Sequence, residues 1–224
     1  MTLDELPAWL LLIAYASLVV ELTFVAVPSE ASTLQLFTKE AGTDGGGRLA
    51  GARSRSFLGK VVCYFLPTAL GVVMFVAPLA VACWPPLTEW ALPIVDTRGD
   101  GPIGPVLIWT GLALVFAGRI LTTVAALQLR RRHHRGDHAL QPGGLFAVSR
   151  NPILLGMYLF YLGNCVWLPS PMLWAGFVPY AWNMHRRVLI EEDFLRTRLG
   201  HRYVDYLASA PRYVGRPRKT AGSR

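Results

Sequence analysis

The chain has 224 residues, of which 53% are hydrophobic and 16% charged, with a mean hydropathy of +0.37 and a formal net charge of +8. That balance leaves too little polar surface to coat a soluble globule, so it excludes an ordinary water-soluble domain and predicts an integral membrane protein. The positive charge follows from membrane topology and from attraction to anionic lipid, and it calls for no nucleic-acid partner.

In chain order, the first apolar run is Leu6 to Val27, close to the ~20 residues of helix that cross a hydrocarbon core. It is preceded by Asp4 and Glu5 instead of lysines and lacks a small-residue cleavage pattern, so it reads as a retained helix and not as a signal peptide. Gly42 to Gly51, rich in glycine and poor in apolar side chains, reads as a mobile loop. Val61 to Cys83 and Pro105 to Leu127 are the second and third spans. Pro152 to Leu168 and Met172 to Met184 are shorter and lie on either side of Trp167-Leu168-Pro169-Ser170-Pro171. They predict a tight helical hairpin whose second helix runs on through His185 and Arg186 into polar sequence. Leu195, Leu199, Tyr203, Tyr206 and Leu207 then recur at near-helical spacing opposite Arg196, Arg198, Arg202 and Asp205, the pattern of an amphipathic helix lying on the membrane face or closing the site. Arg216 to Arg224 reads as a disordered basic tail. The expected fold class is therefore all-α, with about five transmembrane helices, a C-terminal helical hairpin and an amphipathic cytoplasmic helix.

Basic residues set the orientation. Lys39, Arg48, Arg53, Arg55 and Lys60 separate the first two spans; Arg130, Arg131, Arg132, Arg135 and Arg150 separate the third and fourth; ten more follow Met184. Arg98 alone lies on the other side. The positive-inside rule places those two loops and the C-terminus in the cytoplasm and the N-terminus outside. Trp9, Trp84, Trp90, Trp167 and Trp174 fall near the outer ends, as an interfacial aromatic belt requires. Glu21 and Arg119 lie inside spans in the cytoplasmic half and are expected to pair with each other, the alternative being that Arg119 lines the acceptor or cofactor cavity. Cys63, Cys83 and Cys165 are scattered through apolar sequence and read as small hydrophobes. The tract His133-His134-Arg135-Gly136-Asp137-His138 lacks a thiolate or paired carboxylates at ligand spacing, and its arginines repel a cation, so no metal site is expected.

The concentrated polar chemistry lies in "HALQPGGLFAVSRNPILLG" and, after the hairpin, in "RRVLIEEDFLRTRLGHRYVDYLASAPRYV". This text resembles the isoprenylcysteine carboxyl methyltransferase and phospholipid methyltransferase superfamily, whose pattern runs H-x-L-x-x-x-G-x-Y, R-H-P-x-Y-x-G, a hairpin, E-E-x-x-L and G-x-x-Y-x-x-Y before a Pro-Arg. His138 and Leu140 match the first element, with Gly143 or Gly144 as its glycine. Arg150, Pro152 and Gly156 match the second; Glu191, Glu192 and Leu195 the third; Gly200, Tyr203, Tyr206, Pro211 and Arg212 the last. The likeness covers roughly His138 to Val214, and its specificity rests on the order of several weak elements. Asn151, Leu154 and Leu145 depart from the pattern's histidine and tyrosines, which bears on the acceptor. An Arg-Asn-Pro variant is similar to bacterial members, implying a multi-pass protein of the bacterial inner membrane.

The resemblance implies an S-adenosylmethionine-dependent methyltransferase acting on a lipophilic acceptor, an isoprenylcysteine-like carboxylate, a phospholipid amine or another membrane-associated molecule. It implies transmembrane helices over 1–130, a methyltransferase core over 131–215 and the tail over 216–224. The cofactor carries a sulfonium, an amino-acid head and an adenosine, so its site needs carboxylates, anion donors and an apolar slot. His138, Leu140, Gly143, Gly144, Arg150, Asn151, Pro152, Glu191 and Glu192 are the expected cofactor-binding residues, and Arg150, Asn151 and Glu192 the expected catalytic ones. Pro152 opens a helix without removing a needed donor, so the helix start can present amides and a positive dipole to an anion. Two other readings compete: an NADPH-dependent membrane reductase of the related sterol reductase fold, and a non-catalytic membrane scaffold.

Overall fold

A computed structural model describes residues 6–25, 36, 47–84, 86, 103–134 and 143–216. All regular structure among these residues is helical. The helices are α1 (Leu6–Phe24), α2 (Gly47–Arg53), α3 (Phe57–Cys83), α4 (Ile103–His134), α5 (Leu145–Val148), α6 (Pro152–Trp167), α7 (Pro171–Leu199) and α8 (His201–Ser209). Three of them, α1, α3 and residues Gly104–Arg131 of α4, are long and apolar enough to cross a membrane, while α6 is apolar but shorter. Val19, Val20, Leu22 and Phe24 on α1 and Val72 and Val73 on α3 are exposed, so the outer faces of these helices suit lipid better than water.

The inner faces share one core. Leu11, Tyr15 and Leu18 of α1, Phe75 of α3, Leu112 and Val115 of α4, Phe160 and Tyr161 of α6 and Leu173 and Tyr180 of α7 form a single buried cluster. Its tightest seam lies between α4 and α6, where small residues face each other at i, i+7 spacing. A Cβ on Gly118 would fall 2.5 Å from the Gly156 carbonyl oxygen, and one on Gly156 would fall 2.7 Å from that of Gly118. In lipid, where apolar surface gains nothing by meeting apolar surface, such close backbone approach supplies the packing that holds helices together. Buried polar groups pin the bundle as well. Asn164 Nδ2 donates to the Tyr15 hydroxyl at 2.9 Å, and Tyr15 in turn donates to the Phe75 carbonyl, joining α6, α1 and α3. Glu21 and Arg119 pair at 2.8 Å as expected, and Ser17, Thr122 and Thr123 surround the pair with hydroxyls.

The hairpin forms where it was expected. Ser170 caps α7 by accepting from the Met172 amide at 3.3 Å, and α7 continues without interruption to Leu199, well past His185 and Arg186. Two expectations need correction. Gly47 to Gly51 is part of α2 and not of a loop, because Leu49 and Ala52 bury themselves against Tyr64 and Ile190; residues 42–46 lie outside the described residues. The amphipathic segment is two helices and not one. Gly200, at φ +57°, ends α7 and redirects the chain into α8, whose Tyr203 and Tyr206 pack with Leu195, Leu199 and Leu207.

Candidate active site

The polar chemistry gathers where α6 begins. Gly144, at φ +60°, starts the single turn of α5, and Ser149 to Asn151 then run in non-helical backbone before Pro152 opens α6 at its first position. The segment after α8 folds back across this stretch. The Arg150 amide donates to the Pro211 carbonyl at 2.9 Å, Asn151 Nδ2 donates to the Arg212 carbonyl at 3.1 Å, and the Tyr206 hydroxyl donates to the Phe146 carbonyl at 2.9 Å. Two chain segments more than 50 residues apart are thereby held side by side, with α7 as the third wall.

Glu192 on α7 is the centre of this arrangement. Its carboxylate takes a two-pronged hydrogen bond from Arg212, with Nη2 at 2.8 Å and Nε at 3.1 and 3.2 Å, and lies 3.5 Å from Arg150 Nη2. The Arg150 and Glu192 side chains are only 11% and 10% exposed, whereas Arg212 at 37% faces outward. One carboxylate thus meets two guanidiniums, which leaves net positive charge at the head of α6. Among the described residues, Arg150 Nε is buried without a hydrogen-bond partner. Asn151 does not cap α6 with its side chain, so the helix start and Arg150 together retain donor capacity for an anion.

Hydrogen bonding to Glu192 pushes the Arg212 guanidinium above its ordinary range. Burial raises the Tyr203 hydroxyl, and the Glu192 charge raises it further. Two turns back on the same face of α7, roughly 10 Å along the axis, His185 Nδ1 shares a hydrogen bond with the Tyr213 hydroxyl at 2.5 Å. The Tyr158 ring lies 6.5 Å from Tyr213 and 6.3 Å from Tyr180, and Tyr180 stacks on Tyr161 at 5.2 Å. A charged mouth therefore passes into an aromatic wall that reaches the buried core of the bundle.

Of the residues singled out in the sequence, Arg150, Asn151, Pro152 and Glu192 come together here. Glu191 lies about 100° further round α7, where its charge acts on Arg187 one turn earlier. Gly143 and Gly144 sit just before α5, and a Cβ on Gly144 would meet the Gln128 side chain at 2.9 Å. His138 and Leu140 lie outside the described residues, as does residue 217 onward. Sequence reasoning left Arg212, His185 and Tyr213 out of the site. The Pro211-Arg212 end of the family pattern was the available signal for Arg212, whereas nothing local in the sequence marked His185 or Tyr213.

These features define a class: a helical membrane protein with an arginine-rich polar mouth at the start of a buried helical hairpin. Residues 102–202 match the family described as phospholipid methyltransferase. The chain is 29% identical over 100 residues to protein-S-isoprenylcysteine O-methyltransferase B of Arabidopsis thaliana, covering 44% of this chain and 48% of that protein. It is 31% identical over 110 residues to a probable protein-S-isoprenylcysteine O-methyltransferase of Oryza sativa subsp. indica, covering 46% and 55%. It is also 29% identical over 111 residues to protein-S-isoprenylcysteine O-methyltransferase of Dictyostelium discoideum, covering 46% and 47%. The chain spans about half the length of the curated relatives it matches. No solved structure matches it.

Proposed function

We propose that this chain is an S-adenosylmethionine-dependent methyltransferase that acts on a lipophilic acceptor at the membrane boundary. The observation that carries the reading is the Arg150–Glu192–Arg212 cluster at the head of α6, with Arg150 Nε buried and unpartnered among the described residues, and with Arg150 and Glu192 inside the segment 102–202 that matches the methyltransferase family. The residues present fit the cofactor. Arg150 and the uncapped amides of α6 suit its amino-acid carboxylate, Glu191 suits its ammonium or ribose, and His138, Leu140, Gly143 and Gly144 flank the same region in the chain. When bound, the cofactor supplies a methyl group already activated by a sulfonium.

The protein's own work is then positioning, which can contribute ~7–11 kcal/mol when two bound molecules are aligned for in-line displacement. Glu192 holds Arg150 and Arg212 in place and offsets part of their charge. Asn151 fixes the Arg212 backbone and orients the lip of the site, and Pro152 sets the start of α6. A carboxylate or thiolate acceptor needs no general base. An amine or hydroxyl acceptor does, and Glu191 or Glu192 is the carboxylate nearest that task.

In the topology we propose, α1, α3, α4, α6 and the apolar first part of α7 make five crossings, with the N-terminus outside, the site facing the cytoplasm of a bacterial inner membrane, and residues 131–215 carrying the methyltransferase core. Calorimetric titration of the purified protein with S-adenosylmethionine and, separately, with NADPH tests the reading. Saturable binding of the first alone supports it; binding of NADPH alone, or of neither, refutes it.

A further inference from the structure

Arg212 and Tyr213 are neighbours in the non-helical segment after α8, yet they reach two different turns of α7. Arg212 meets Glu192, and Tyr213 meets His185, seven residues earlier on the same face. The second contact has no part in the Arg150–Glu192–Arg212 cluster. It lies where the polar mouth gives way to the aromatic wall, with the Tyr213 ring 6.0 Å from the imidazole and 6.5 Å from the Tyr158 ring of α6. Tyr158 spends its hydroxyl on the Ala181 carbonyl at 3.1 Å and leaves the imidazole to Tyr213.

The two ring nitrogens of His185 are not equivalent. Nδ1 lies 2.5 Å from the Tyr213 hydroxyl, whereas Nε2 has no hydrogen-bond partner among the described residues and is not sealed in. Burial raises the Tyr213 hydroxyl above its ordinary range, so the phenol stays protonated at neutral pH. Its oxygen can accept from Nδ1–H while its own hydrogen turns elsewhere, and a fixed Nδ1–H leaves the lone pair on Nε2, the form in which an imidazole takes a proton. The carboxylates of the mouth are worse placed for that task. Glu192 lies 3.5 Å from Arg150 and 2.8 Å from Arg212, and two guanidiniums beside one carboxylate oppose its protonation. Glu191 is turned about 100° away, where its charge acts on Arg187.

We infer that His185, oriented by Tyr213, is the general base of the reaction, and that the acceptor is a lipophilic molecule whose nucleophilic nitrogen or oxygen carries a proton. The inference rests on the methyltransferase reading and narrows its acceptor. A carboxylate acceptor is already an anion and would leave the pair without work. With an amine or hydroxyl, the acceptor's lone pair forms the new bond to the methyl carbon and the carbon–sulfur bond breaks with its electron pair left on sulfur. The acceptor's proton passes to His185 Nε2, and the imidazolium releases it to water. His185 is then a catalytic residue, and Tyr213 a positioning residue that acts by holding the Nδ1–H tautomer.

Nitrogen-15 histidine spectra of the full-length protein in detergent at about pH 8 read the tautomer directly, with the His185 signals identified by their loss in His185→Gln. The expected result is a protonated Nδ1 and a bare Nε2 in the wild type, with the Nε2–H form gaining in Tyr213→Phe; a wild type protonated at Nε2 alone overturns the assignment. The same proteins are then given methyl-labelled S-adenosylmethionine with a long-chain amine, alcohol or carboxylate of equal chain length. Transfer should reach the amine or the alcohol, and His185→Gln should lower its kcat by about 10²–10⁴-fold while calorimetric affinity for S-adenosylmethionine stays within about twofold. Tyr213→Phe should lower kcat by less, in step with its shift in tautomer. With cofactor binding intact, transfer to the carboxylate alone or to none of the three, or transfer to the amine or alcohol that His185→Gln leaves unchanged, overturns the inference and leaves the methyltransferase reading standing. A wild type that does not bind S-adenosylmethionine refutes that reading, and the inference falls with it.

Discussion

At the scale of single residues, Glu192 carries more of the site than the Glu-Glu pair in the sequence reveals. Adjacent helix positions point about 100° apart, so only one of the two carboxylates can meet both Arg150 and Arg212, and the structure assigns that place to Glu192. Charged hydrogen bonds contribute about 1.5–3 kcal/mol each, so Glu192→Gln should weaken S-adenosylmethionine binding by tenfold to more than a hundredfold in calorimetry. Glu191→Gln should weaken it less, since Glu191 points about 100° away from Glu192 and its charge acts on Arg187. Equal affinities for both variants and the wild type would mean that the carboxylates serve the fold alone. Tyr203 offers a pH test. Its folded-state pKa is raised above the unfolded value of about 10, mainly by burial, so its contribution to stability is complete below that pH and is lost as pH climbs through the folded value. Tyr203→Phe should therefore flatten part of the alkaline loss of stability measured by unfolding in detergent; an unchanged slope would show that the hydroxyl is not the group responsible.

Helices, in contrast, were largely legible. Runs of apolar residues located α1, α3, α4 and the hairpin, because in a membrane helix length and hydrophobicity are set by the bilayer itself. The partners of those helices were not legible. Gly111, Gly118 and Gly163 were ordinary glycines in apolar runs, and Gly156 only a motif position, until the fold placed the four in one seam, since i, i+7 spacing on two helices acquires meaning only when the two faces meet. Gly118→Val should lower the thermal midpoint in detergent, with overpacking costing about 1–3 kcal/mol or more where backbone blocks relaxation. A variant as stable as the wild type would contradict the seam. The Glu21–Arg119 pair joins α1 to α4, and removing one partner leaves an uncompensated buried charge. Arg119→Met should cost about 3–5 kcal/mol, and Arg119→Met/Glu21→Met should recover much of that loss in a double-mutant cycle. The site was half legible for the same reason as the seam. Arg150, Asn151 and Glu192 stood in recognisable motifs, whereas His185 and Tyr213 meet across 28 residues and carry no local mark.

For the whole molecule, the arrangement separates two approaches to one place: a polar mouth at the head of α6 and an aromatic wall that descends among α6 and α7. The proposed topology puts the mouth in the cytoplasm, so a cysteine introduced at Arg132 should resist a reagent confined to the outside of the cell; modification there would reverse the orientation. The same geometry predicts that the acceptor arrives from the bilayer. Partitioning gains about 0.8 kcal/mol per CH₂, so methylation should rise with acceptor chain length until it saturates. The most direct test of the account is to supply methyl-labelled S-adenosylmethionine to membranes containing either the wild-type chain or Arg150→Gln, extract them with organic solvent and follow the label. Label should enter the lipophilic fraction from wild-type membranes and be nearly lost with Arg150→Gln. Label confined to water-soluble product, or equal labelling by the two proteins, would contradict it.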